Sequence, residues 1–137
     1  MKKLIFFKLS LVFIILLKST ILVSDETQLI GVFGASGRTG SHIIEELKQR
    51  DVRIKAFSRS ANQKDSSDDL DWVYADVTDE ESLSIALRDV DIIISAIGPV
   101  GGDNSEIVDY QGTINIVSAA RKNDVQQIIY MSSIGAG

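Results

Sequence analysis

The chain contains no cysteine, one histidine and one proline. Without thiols it can form no disulfide, no thiolate metal site and no cysteine nucleophile. His42 stands apart from any second cluster of ligand-type residues, so neither a metal centre nor acid–base duty is expected of it. Positive charge is scarce as well. Residues 25–137 carry ten basic against nineteen acidic side chains, a balance of −9. Nucleic-acid affinity comes mostly from Lys and Arg neutralising phosphates, so nucleic acid is not an expected partner. A length of 137 residues leaves room for one domain and one core.

The remaining four bases, Lys2, Lys3, Lys8 and Lys18, lie in an acid-free first segment. Residues 1–27 open with a basic stretch followed by an apolar run from Leu9 to Leu17, interrupted only by Ser10. That length suits an export signal and falls short of the ~20 residues that a membrane span needs. Lys18 then breaks the run, and Ile21–Val23 resume it before the small Ser24. If Lys8 and Lys18 snorkel, the same residues read as an uncleaved membrane anchor. A third reading is an extension or a misplaced start. In each case the segment lies outside the fold, and residues 28–137 form the domain.

That domain alternates β-rich runs with helical stretches. Strands are predicted at 28–33, 52–57, 72–77, 91–97 and 127–133, and helices at 38–50, 79–88 and 104–122. In the last helix Ile107, Tyr110, Ile114 and Val117 recur at spacings of three and four, which predicts that they form its apolar face. Repeated strand–helix–strand order implies parallel strands joined by right-handed crossovers, hence an α/β, doubly wound parallel sheet of about five strands. Polar residues 61–69 read as a surface loop. Residues 98–105, with the only proline and three glycines, read as a flexible loop at a strand's carboxyl end, where such sheets bind ligands.

Three glycines at spacing three, in VFGASGRTG (32–40), carry the chemistry. A strand precedes them and an amphipathic helix follows, the context in which a glycine turn signals a dinucleotide. Gly34 permits the tight turn, Gly37 lets a pyrophosphate approach the backbone, and Gly40 lets helix and strand pack closely. Amides at the helix start face the phosphates, and Ser36, Arg38 and Thr39 add two hydroxyls and a cation at that end.

The turn resembles that of the atypical, NmrA-like branch of the short-chain dehydrogenase/reductase superfamily. The likeness continues through FSRS (57–60), ADVTD (75–79), DIIISAIG (91–98), VDYQGTINIVSAA (108–120) and IIYMSSIGAG (128–137). It implies a Rossmann fold that binds NAD(P), with Asp76 and Val77 flanking the adenine and Ala96, Ile97 and Gly98 beside the nicotinamide-side ribose. It also implies a catalytic serine at the end of the fifth strand, holding the substrate carbonyl; Ser132 and Ser133 both stand there, and Ser133 is the better match. An acid at the end of the second strand would favour a free ribose 2′-hydroxyl; here stand Ser58 and Arg59, with Arg38 nearby. Two guanidiniums and a hydroxyl suit a phosphate, so NADP(H) is expected over NAD(H).

Reduction in that superfamily uses a tyrosine whose pKa is lowered by a lysine four residues on. Tyr74, Tyr110 and Tyr130 are followed at that distance by Thr78, Ile114 and Ile134, so no Tyr-x-x-x-Lys is present. The resemblance implies further helix and strand after the fifth strand, so the chain reads as truncated there. The apolar IIYM edge would then be covered by a missing part or a partner. Two functions follow: part of an NADP(H)-dependent oxidoreductase or epimerase-like enzyme acting on a small carbonyl compound, or a non-catalytic regulatory or assembly module. Free NADPH is cytoplasmic, so the leader suggests either a membrane-attached protein facing the cytoplasm or an exported one carrying its cofactor.

Overall fold

The computed structural model describes residues 27–98, 104 and 106–132. Among them β1 (Leu29–Phe33), β2 (Arg53–Ser58), β3 (Leu70–Tyr74), β4 (Ile92–Ser95) and β5 (Gln127–Tyr130) pair in parallel, in the spatial order β3-β2-β1-β4-β5. Helix α1 (Arg38–Leu47) links β1 to β2. Helix α2 (Glu80–Ala86) links β3 to β4, and α3 (Gly112–Lys122) leads to β5 behind a wide π-type turn at Glu106–Gln111. The doubly wound parallel sheet expected from the sequence is what the chain forms.

Central position explains why β1 is apolar throughout: all five of its residues are buried, as a strand covered on both faces requires. Successive side chains alternate between two cores. Ile30 and Val32 join Ile54 and Ala56 beneath Ile44 and Leu47 of α1. Leu29 and Phe33 join Phe57 and Ile93 beneath Leu83 and Ala86 of α2 and Ile116, Ala119 and Ala120 of α3. The Phe33 and Phe57 rings meet with centroids 4.4 Å apart. Helix α2 starts where Asp79 Oδ1 accepts hydrogen bonds from the Glu81 and Ser82 amides (3.0 and 3.2 Å), with Glu80 and Glu81 matching the positive end of the helix dipole.

Three local expectations are corrected. The third strand begins at Leu70 and ends at Tyr74, earlier than 72–77, because Leu70 pairs with Ile54 and the chain turns away at Asp76. The loop at 61–69 contains a short 3-10 turn, Ala61–Gln63, that buries Ala61. Most consequentially, the buried face of α3 is Gly112, Asn115, Ile116, Ala119 and Ala120, whereas Ile107, Tyr110 and Ile114 are exposed (49, 66 and 43%). Small residues win because α3 packs tightly on α2 and on the chain after β3: a Cβ on Gly112 would lie 2.8 Å from Val77 Cγ2.

Strand β5 forms one edge of the sheet, with Ile128, Ile129, Tyr130 and Met131 exposed. No helix among the described residues is long and apolar enough to cross a membrane; residues 1–26 lie outside that set.

Candidate dinucleotide site

The sheet order reverses between β1 and β4, so a crevice opens at their carboxyl ends. The chain leaves β1 through Gly34, at φ +73°, a left-handed conformation that costs other residues about 1–2 kcal/mol. A Cβ there would also lie 2.3 Å from the Ala96 carbonyl oxygen. Gly40 is equally confined, since its Cβ would lie 2.1 Å from the Gly34 oxygen and 2.8 Å from Ala35 Cα. Both outer glycines are therefore demanded by the protein's own packing.

Gly37 differs. Its φ of −80° suits any residue, and its Cβ would meet only the Gly34 oxygen, at 3.2 Å. Its amide donates to that oxygen (2.9 Å) and closes the turn. The absent side chain thus leaves space on the outer side, above the start of α1. No side chain caps this helix and no acid stands in its first turn. The first intrahelical acceptor in this turn, the Gly37 carbonyl, is taken by Ser41, so the amides of residues 38–40 point outward without helical partners. Uncapped amides, the positive end of the dipole, and backbone open to approach fit a pyrophosphate.

The turn is joined to the end of β2 by three hydroxyls. Ser36 Oγ donates to Ser58 Oγ (2.9 Å), the Ser60 amide donates to the same oxygen (3.1 Å), and the Ser58 and Ser60 hydroxyls share a bond (3.2 Å). Arg59 is exposed beside them, while Arg38 and Thr39, also exposed, line the flank of α1 that shares a groove with Ile92, Ile94 and Ile129. Ser60 was not singled out from sequence, although its alternation with Ser58 in FSRS was a usable signal.

At the end of β3, Asp76 Oδ1 accepts from the Thr78 amide (2.9 Å) and hydroxyl (2.8 Å), which holds the turn in shape. Val77 is fixed from behind: its carbonyl accepts from Asn115 Nδ2 (2.8 Å), and Gln111 Nε2 donates to Asn115 Oδ1 (2.9 Å). Asn115 is thereby a buried structural link between α3 and this loop. At the end of β4, Ala96 donates its amide to the Phe33 carbonyl (3.1 Å), Ile97 is half-buried, and exposed Gly98 has open space around its Cα. Ser95, just before them, is buried with no hydrogen-bond partner for its Oγ among the described residues. A serine inside the run DIIISAI was its only sequence signal. Ser133 lies outside the described residues. Among those described, no group of three or more His, Cys, Asp or Glu could hold a metal ion.

The expected site residues that are described thus lie at the carboxyl ends of four parallel strands, β1 to β4. A switch-point crevice with a glycine turn and an uncapped helix start defines a dinucleotide-binding Rossmann domain. The chain belongs to the NAD(P)H-binding family, whose sequence model matches residues 34–137. It is 30% identical to Protein TIC 62, chloroplastic, of Arabidopsis thaliana, over 85% of this chain and 22% of that protein. It is 31% identical to cinnamoyl-CoA reductase 1 of Oryza sativa subsp. japonica, over 82% of this chain and 36% of that one. Among solved structures, the oxidoreductase ylbE of Lactococcus lactis superposes with a TM-score of 0.69 at 28% identity, covering 78% of this chain and 49% of that one. The chain spans less than half the length of each of these three.

Proposed function

We propose that this chain is the cofactor-binding part of an NADP(H)-dependent oxidoreductase, which moves hydride between the nicotinamide and a small carbonyl compound. The observation that carries the reading is the space left over Gly37 in front of uncapped α1 amides, which nothing in the fold's own packing demands. Preference for NADP(H) rests on the residues at the end of β2, where the strand closes on Ser58 rather than an acid and Arg59 and Ser60 follow, with Arg38 a second guanidinium on the glycine turn. When bound, the nicotinamide supplies the hydride. The residues present hold the pyrophosphate and the adenosine end.

Calorimetric titration with NADPH and NADH tests the preference directly. NADPH is expected to bind at least tenfold more tightly, and Arg59→Asp to reverse or erase that difference. Equal or tighter binding of NADH by the unaltered chain would overturn it. The glycine turn supports a second reading equally, a nucleotide-binding regulatory module. Stopped-flow oxidation of NADPH with a panel of carbonyl compounds separates the two: turnover supports the enzyme, and binding without turnover supports the module. The apolar leader is proposed to bring the domain to a membrane or across it. Recovery at full mass in the soluble cytoplasmic fraction would refute that.

A further inference from the structure

Helices α2 and α3 share one face of the sheet, over Phe33 and Ile93, whereas α1 is the one helix among the described residues on the other face, where it packs on β1 and β2. Beyond α1 that face stays open over β4 and β5. Ile92 and Ile94 of β4 are half-buried, and Ile129 of β5, which pairs with Ile94, is exposed. With Ile43 and Leu47 of α1 they line a mostly apolar groove of about 800 Å³. Gln28, just before β1, lines the same groove at its amino end, beside Arg50 and Asp51.

We propose that the apolar leader of the same chain lies in this groove, with the run Leu9–Leu17 over Ile92, Ile94 and Ile129. Three features favour this occupant. The first is tethering: Gln28 is already at the groove, so residues 18–27 are the whole link to Leu17, and ten residues reach about 33 Å when extended. A link of that length gives an effective concentration on the order of millimolar, which few free partners match. The second is size, since nine residues cover about 12 Å as a helix and the wall formed by Arg38–Leu47 of α1 runs about 14 Å. The third is charge. The leader carries four lysines and no acid before Asp25, and Lys18 comes to the end of the groove where Glu46, Asp51 and the negative end of the α1 dipole stand. Arg50 offsets part of that attraction, so apolar contact carries most of the affinity. Docked there, the segment and the groove shield each other from water. Docking presupposes that residues 1–26 stay attached, and it turns the membrane reading of the leader into a choice between two apolar sites, since a bilayer draws the same residues out of the groove.

The chain has no cysteine of its own, so disulfide trapping on the full chain tests the docking cleanly. Leu11→Cys, Ile14→Cys or Leu17→Cys is combined with Ile129→Cys, or with Arg121→Cys on the opposite face of the sheet, and each pair is oxidised mildly at about 1 µM. The best Ile129→Cys pair should close within one chain at least about tenfold faster than the best Arg121→Cys pair. Ile129 and Arg121 are both exposed, so either substitution should leave fold and NADPH affinity intact, which titration of the same samples checks. Vesicles of phosphatidylcholine and phosphatidylglycerol should slow the Ile129→Cys closure in step with the share of chain they bind. Vesicles that bind none of the chain would refute the membrane reading, while a retained tenfold ratio would still support the groove. Equal rates for the two sets of pairs, a cross-linked product of twice the chain's mass, a purified chain whose mass lacks the leader, or vesicles that bind the chain without slowing the closure would each overturn the proposal.

Discussion

Substituting the three turn glycines one at a time separates what the fold needs from what the ligand needs. For Gly34→Ala, the left-handed φ costs about 1–2 kcal/mol. The Cβ placed 2.3 Å from the Ala96 oxygen adds overpacking of about 1–3 kcal/mol. The sum, about 2–5 kcal/mol, corresponds to a fall in Tm of about 8–20 °C for a domain of this size. Gly40→Ala should behave alike, since its Cβ meets backbone at 2.1 Å. Gly37→Val should not. Its φ is ordinary and its one close neighbour, the Gly34 oxygen at 3.2 Å, needs to give by only a few tenths of an ångström. Stability should change by less than about 1 kcal/mol, or about 4 °C. The valine methyls would nevertheless occupy the space in front of the α1 amides. Losing two charge-assisted hydrogen bonds to phosphate, at about 1.5–3 kcal/mol each, weakens binding by about 3–6 kcal/mol, at least a hundredfold. Differential scanning calorimetry and NADPH titration on the same preparations give both numbers. Gly37→Val protein that binds NADPH as tightly as the unaltered chain, or Gly34→Ala protein equally stable, would refute the division of roles.

Gly112→Ala should lower stability by about 1–2 kcal/mol despite the better helix propensity of alanine, and Val77→Ala should relieve it in a double-mutant cycle by urea unfolding, because Val77 Cγ2 is the atom in the way. Asn115→Leu should cost about 1–3 kcal/mol by leaving the Val77 carbonyl without its donor, and should widen the thermal transition of NADPH-free protein less than it lowers its midpoint. Lys55 lies half-buried in β2 with its Nζ donating to the Arg88 carbonyl (2.6 Å). Burial lowers its pKa from 10.5, against the raising influence of Asp89 and Asp71. Its charged form is thus disfavoured by folding. That penalty is fully present below the lowered folded pKa and fades as pH rises through it toward 10.5. The stability of the unaltered chain relative to Lys55→Met should therefore climb over that alkaline window; a flat or falling difference would contradict the assignment.

The glycine turn was legible in the sequence because its requirements are local: a strand, a φ that glycine alone adopts freely, and a helix start follow one another within a dozen residues. The parallel topology followed from the same alternation. What escaped notice depends on residues far apart in the chain. The start of β3 is set by Leu70 meeting Ile54, and the Ser36–Ser58 bond spans the whole first crossover. The buried face of α3 was misread because hydrophobic spacing favours large residues, whereas close contact with α2 and Val77 selects Gly112, Ala119 and Ala120. The bracing of the loop beyond β3 by Asn115 escaped notice too, since a polar helix residue reveals nothing of its partner until that loop is in place.

The contact between Gly34 and Ala96 bears on when the cradle comes into being. The turn between β1 and α1 is local in sequence, yet one wall of it is backbone from a strand that begins near residue 92. The two strands are also tied at their other end, where the Leu29 amide donates to Asp91 Oδ2 (2.8 Å) and the Asp91 amide to the Leu29 carbonyl (2.9 Å). Such long-separation contacts form late, after their loop-closure entropy has been met. The nucleotide cradle is consequently a product of the assembled sheet rather than a seed for it. A nucleotide that recognises the finished turn binds only the folded state, and so tightens β1 and β4 together. Amide protons of both strands should slow in exchange by the same factor when NADPH is added, with the two ends of the sheet reporting a single closing event.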